Sequence, residues 1–168
     1  MVAIAFTVAF EGVEARLVEV QASVSAGMPS FGIVGLPDKA VSEARDRVRA
    51  AFNALSIAMP SRRVTVNLSP ADLPKEGSHF DLPIALAVLA ALDIVPPDEL
   101  AGVVSLGELA LDGRLVAVAG ALPAALRAEG VQMRTLLRSL EGLNERFELP
   151  AERYLAYLEE QLAAFSLA

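Results

Sequence analysis

A serine and two nitrogen bases able to take part in nucleophilic chemistry share one short run, Pro74-Lys75-Glu76-Gly77-Ser78-His79-Phe80-Asp81. A serine hydroxyl becomes a nucleophile when an amine or imidazole at hydrogen-bond distance takes its proton, so Lys75 and His79 are the candidate bases for Ser78. Lys39 and Lys75 are the only lysines in the sequence. The competing reading is architectural: Ser78 and Asp81 cap a helix that starts here, and His79 is an ordinary loop residue. It is the favoured one, because both bases lie on the serine's own loop and a working base must be held by a rigid element. The residues after the loop support a helix. Pro83 fits a first helical turn, and every position from Leu82 to Leu92 is apolar, leaving no face for water. The run from 81 to 92 is therefore expected to be the central core helix, with the loop at the positive end of its dipole, a place suited to an anion or an activated hydroxyl.

A second chemistry comes from arginines. Arg45, Arg47 and Arg49 fall in one helical segment, and Arg62 and Arg63 enter the next strand. Arg45 and Arg49 share a helical face at i, i+4 and Arg47 points elsewhere. Arg45, Arg49, Arg62 and Arg63 are thus candidates for phosphate contact with DNA, which would give affinity without sequence reading. The alternative is a solvated face with ion pairs to Glu43 and Asp46. It is preferred on two grounds: no aromatic residue is interleaved for base stacking, and the formal net charge is -7. Metal chemistry has little to build on. With one histidine and no cysteine, Asp72, Glu76 and Asp81 make at best a loose oxygen site for Mg²⁺, so solvated loop acids are expected and no metal site is assigned. Disulfides and thiol catalysis are excluded.

The elements that must position these groups follow from periodicity. Residues 2 to 10 alternate Val2, Ile4, Phe6, Val8 and Phe10 with Ala3, Ala5, Thr7 and Ala9, and residues 15 to 24 run back with Val18, Val20, Ala22 and Val24 inward, which predicts a hairpin turning at Glu11-Gly12. Phe31 to Gly35 is a short third strand. From Asp38 to about Leu55 the period becomes helical, with Val41, Ala44, Val48, Ala51, Phe52 and Leu55 on one stripe. Arg63 to Leu68 is a β-branched strand feeding the serine loop. Val103 to Ala110 and Arg114 to Val118 read as strands joined through Asp112-Gly113, and Gly120 to Glu129 as a short helix. A weak helix over 132–141 and an amphipathic one over 151–165 complete the chain. The order β-β-β-α-β-α-β-β-α predicts an α+β class with a mixed sheet and a C-terminal helical tail.

A chain of 168 residues fits one domain with an appendage. No apolar run approaches the ~18 residues of a spanning helix, and the N-terminus lacks a basic signal-peptide region, so no membrane partner and a cytoplasmic location are expected.

Several long motifs now stand together: Gly35-Leu36-Pro37-Asp38, Ser42 to Val48, Val66-Asn67-Leu68-Ser69-Pro70-Ala71-Asp72-Leu73-Pro74-Lys75-Glu76-Gly77, Phe80 to Ala85, Gly107-Glu108-Leu109 and Leu111-Asp112-Gly113. Over roughly residues 1–130 they resemble the amino-terminal domain of the YifB/ComM group of magnesium-chelatase-like AAA+ proteins. The resemblance implies a ribosomal protein S5 domain 2-like fold, shared with the proteolytic domain of Lon. It also implies a following AAA+ ATPase module, self-association into hexameric rings, and DNA branch migration or helicase action in natural transformation. Residues 131–168 do not resemble the start of that module and no G-x-x-x-x-G-K-[ST] loop occurs, so ATP and Mg²⁺ are expected only for an ATPase module and no cofactor for this chain. Set against Lon, the serine position falls on His79, with Ser78 one step early, and the lysine position falls near Leu122. The resulting Lon-like site, Lys75, Ser78, His79 and Leu122, is degenerate. A non-catalytic accessory and assembly domain is therefore expected, with a serine peptidase of altered dyad as the alternative.

Overall fold

Residues 2–12 and 14–127 are described by the computed structural model. The alternating N-terminal run forms β1 (Val2–Glu11), paired antiparallel with β2 (Glu14–Ser25) so that Val2 faces Ser23 and Phe10 faces Ala15. β3 (Ser30–Val34) lies parallel to β4 (Arg63–Ser69), which is antiparallel to β2, and the sheet order is β1-β2-β4-β3. This mixed sheet with its packed helices is the α+β architecture that the element order predicts.

One sheet face is the core. Ala3, Ala5 and Ala9 of β1 are buried there with Val18, Val20 and Ala22 of β2 and Val64, Val66 and Leu68 of β4. The alanine row of β1 thus faces inward, while Val2 and Ile4 face solvent. Small side chains let a helix approach the sheet closely, and α2 (Asp81–Ala91) packs against β1 and β2. Thr7 stands in the same row, fully buried, and its hydroxyl has no hydrogen-bond partner among the described residues. As its all-apolar sequence requires, α2 is buried almost all round.

The amphipathic α1 (Lys39–Ala54) covers the rest of this face through Val41, Ala44, Val48, Ala51 and Phe52, and its N-cap Asp38 accepts the Val41 N–H at 2.7 Å. Leu55, expected on the buried stripe, is 43% exposed because it lies past the last helical turn. Gly35 turns the chain from β3 toward α1 at φ +104°, and a Cβ there would collide with the Leu68 carbonyl.

The predicted strands after residue 102 are much shorter than expected: β5 (Glu108–Leu109) and β6 (Leu115–Val116) form a small hairpin across the Asp112-Gly113 turn. The backbone preceding β5 bonds elsewhere. Ser105 N–H donates to Phe6 O at 2.9 Å along the edge of β1, and Gly107 bridges His79 and Leu82. α3 (Ala121–Arg127) lies on the other sheet face, where Val8, Ala15, Val104 and Ala124 make a second apolar cluster. The helices expected at 132–141 and 151–165 lie outside the described residues.

Candidate functional site at the head of the central helix

The loop before α2 is tied down from two directions. Lys75 exchanges backbone bonds with the segment leaving β3, donating to Leu36 O at 3.1 Å and accepting from Asp38 N–H at 2.9 Å. His79 and Phe80 form a single turn of 3-10 helix with Ser78, and Leu82 N–H donates to Gly107 O at 3.0 Å. The loop is therefore a rigid junction among β1, β3, α1, α2 and β5.

Within it, the predicted catalytic groups do not meet. Lys75 is fully buried, and its ammonium donates to the Pro70 carbonyl; burial pushes the amine below its ordinary value, opposed by the charge of Asp72. The Ser78 hydroxyl donates instead to the Glu108 carboxylate, brought there by β5. His79 is buried between Phe10 and Phe80, ring centroids 5.3 and 4.5 Å away, and its Nε2 lies 2.8 Å from Val8 O, so that nitrogen carries the proton and donates. Far from being a free loop residue, it is a core element. Burial lowers its pKa, opposed by the Val8 carbonyl and the nearby carboxylates of Asp81 and Asp38. Leu122 falls in the first turn of α3.

The expected caps are not made. Neither Ser78 nor Asp81 bonds a free N–H of the turn or helix it begins. Asp81 is drawn away by a stronger partner, because Arg47 grips it bidentately, Nε to Oδ2 at 2.6 Å and Nη2 to Oδ1 at 3.0 Å. Oδ2 also accepts the Leu109 N–H at 3.0 Å, and Arg47 Nη2 donates to Ala40 O at 2.8 Å. One carboxylate thus joins α1, α2 and β5. Both partners' proton affinities are raised, with opposite consequences for their charge. Asp81 holds the Arg47 guanidinium charged, while burial pushes the Asp81 carboxyl up against the hydrogen bonds of Arg47 and Leu109. The pair is ionised at neutral pH, since a guanidinium does not deprotonate and three N–H groups point at the carboxylate.

The sequence reading misses this pair. Glu43, one turn from Arg47 and 3.7 Å away, is the local partner a helical pattern offers. The available signal was Asp81 itself, a carboxylate opening an otherwise apolar helix, where burial requires a cation. Of the loose oxygen set, Asp72 and Glu76 are exposed while Asp81 is held by Arg47. The candidate DNA contacts Arg45, Arg49, Arg62 and Arg63 are all exposed, with Arg45 3.6 Å from Asp46 and Arg63 opposite both Ser25 and Ser30 in the sheet.

An α+β domain organised round a buried helix, with a serine loop whose amine is turned elsewhere, is the class these elements define. The chain belongs to the magnesium-chelatase subunit ChlI family, whose model matches residues 18–141. It is 46% identical over 143 residues to competence protein ComM of Haemophilus influenzae, covering 85% of this chain and 28% of that protein. It is 45% identical over 126 residues to the uncharacterized protein YifB of Salmonella typhimurium, 75% of this chain and 25% of that one. With Escherichia coli YifB the identity is 46% over 117 residues, 70% and 23%. The chain spans about a quarter of the length of these relatives. The motif resemblance to the YifB/ComM amino-terminal domain therefore holds.

Proposed function

We propose that this chain is a non-catalytic accessory and assembly domain of a magnesium-chelatase-like AAA+ protein of the ComM type, serving DNA branch migration in natural transformation. In this reading the fold is S5 domain 2-like, and its partners are an AAA+ module and further copies of itself. ATP and Mg²⁺ act only in that module, and the domain works in the cytoplasm; among the described residues no helix is long and apolar enough to cross a membrane. The observation that carries the proposal is the separation of alcohol from amine, since Ser78 donates to Glu108 while Lys75 is spent on Pro70. A casein-degradation assay tests it: no serine-dependent cleavage is expected, and cleavage abolished by Ser78→Ala would overturn it.

The contribution to DNA is phosphate contact through Arg45, Arg49, Arg62 and Arg63. Single-strand affinity should fall as salt rises, and Arg62→Ala/Arg63→Ala should flatten that dependence by about 0.7 in log–log slope for each phosphate interaction removed. Affinity indifferent to salt and to both substitutions would retire the DNA role.

One observation favours a second reading, a serine peptidase with an altered dyad: the Ser78 hydroxyl donates to a carboxylate, Glu108, that could take its proton. A carboxylate is a far weaker base than an amine, so the first reading is preferred. Cleavage lost in both Ser78→Ala and Glu108→Gln would reverse that preference.

A further inference from the structure

We infer that the amphipathic segment 151–165 of this same chain docks across the β1–β2 half of the outer sheet face, beside α3.

Among the described residues that face is half covered. Val2, Ile4, Phe6 and Val8 of β1 point away from the main core, opposite Ser23, Gln21, Glu19 and Leu17 of β2. At one end of this row Val8 is fully buried with Ala15, Val104 and Ala124 of α3. The other end is open: Val2 is 60% exposed and Ile4 38%, and Leu17 beside Val8 is 45% exposed. Aliphatic surface left in water is a driving force for whatever can cover it. A polar ladder bounds the row on its inner side, where Asn67 Nδ2 donates to Gln21 Oε1 and Gln21 Nε2 donates to Glu19, each at 3.0 Å. The uncovered apolar surface is thus a narrow strip, and from Val2 to Phe6 it is about 13 Å long at about 3.3 Å per residue.

What identifies the occupant is size, reach and charge. Tyr154, Leu155, Leu158, Leu162 and Phe165 recur at helical spacing, and a helix presents them as one stripe about 16 Å long. That stripe matches the open strip. α3 ends at Arg127 on the same sheet face. From there residues 128–150 can reach about 75 Å when extended, several times the width of four strands, about 15 Å. The tether holds the segment at an effective concentration that a free partner has to match. Charge then sets the orientation. One flank of the stripe carries Glu152 and Glu159, the other Tyr157 and Gln161. Glu19, at the inner border of the strip, repels the first flank and accepts hydrogen bonds from the second, so Tyr157 and Gln161 lie over β2 and the acids face water.

The sequence has no cysteine, so introduced pairs read the contact in the full chain. Ile4→Cys is combined in turn with Leu155→Cys, Leu158→Cys and Leu162→Cys. Under mild oxidation at least one pair should close an intramolecular disulfide about tenfold faster than Ile4→Cys with Glu160→Cys, which leaves the helix on the side away from the stripe. Gln21→Cys should close faster with Gln161→Cys than with Glu159→Cys. Ile4→Cys alone supplies a second readout: adding Leu158→Asp/Leu162→Asp, which breaks the stripe, should speed its reaction with a maleimide about tenfold. None of these positions belongs to the buried clusters of the described residues, so the variants keep the fold. Disulfides that join two chains would overturn the docking and give the face to a second copy. Closure no faster than the Glu160→Cys control, or a maleimide rate that Leu158→Asp/Leu162→Asp leaves unmoved, would overturn it as well. The casein and DNA tests of the proposed function read other residues, so that reading stands or falls separately.

Discussion

Arg45 and Arg47 lie two positions apart on one helix, carry the same charge, and live in different solvents. Two residues turn an α-helix through about 200°, so the side chains leave from opposite sides. Arg45 keeps 52% of its side chain in water beside Asp46, whereas Arg47 keeps 20% and closes on an Asp81 carboxylate that has none. An exposed pair is screened and contributes little; a buried one costs so much to desolvate that losing one member strands the other. The position of a charge relative to the core, rather than its presence in a basic cluster, decides its role.

The sharpest way to break this comparison is to truncate each partner of the buried pair. Arg47→Ala leaves a fully buried carboxylate with only the Leu109 amide, and should cost about 3–5 kcal/mol in urea denaturation at neutral pH. Asp81→Ala should cost less, about 2–3 kcal/mol, because the stranded guanidinium still reaches water and lies 3.7 Å from Glu43. The pH dependence has a definite sign. Burial already raises the Asp81 carboxyl, and removing Arg47 takes away the largest opposing hydrogen bond, so its folded-state pKa climbs further above the unfolded one. The Arg47→Ala deficit should therefore be greatest at neutral pH and shrink as pH falls through that raised value. Equal costs below about 1 kcal/mol for both variants would place Arg47 among the surface arginines after all.

A smaller effect separates His79 from the loop residues around it. Its depressed pKa means that stability is full above about 6.5, the ordinary histidine value, and is lost as pH falls through the folded-state value. As it is the only histidine, its imidazole NMR signals should titrate alone, with a midpoint below that ordinary value. Subtracting the pH profile of His79→Gln should isolate that loss on the acid side. A midpoint at or above the ordinary value would contradict the buried placement. Thr7 supplies a test in the opposite direction. Its buried hydroxyl lacks a partner among the described residues, so Thr7→Val, which keeps the shape, should gain about 1 kcal/mol.

These contrasts also separate what the sequence states from what it hides. Period and turn chemistry are local, so β1 and β2, the stripe of α1 from Val41 to Phe52, the buried α2 and the Asp112-Gly113 turn are all legible. Strand lengths after residue 102 are not, because Ser105 finds its acceptor on Phe6, a choice made by tertiary packing. The site divides in the same way. The spacing of Lys75, Ser78 and His79 placed them in one loop, but their partners Pro70, Glu108 and Val8 are set by how β1, β5 and the loop close on α2. Asp81 reads as a cap from its neighbours alone, and the cation that claims it lies 34 residues earlier.

Arg45→Ala is the smallest expected effect and the one that closes the comparison. Its ion pair with Asp46 is long, at 3.6 Å, and both side chains are more than half exposed. Water replaces what the alanine removes, so the midpoint of denaturation should move by no more than about 0.5 kcal/mol in free energy. If Arg45 touches phosphate, the same substitution should weaken single-strand DNA binding at low salt and do so progressively less as salt rises. A residue neutral to folding and sensitive to salt in binding would be the surface counterpart of Arg47. Destabilisation approaching that of Arg47→Ala would instead show that this face of α1 is covered in the assembled protein.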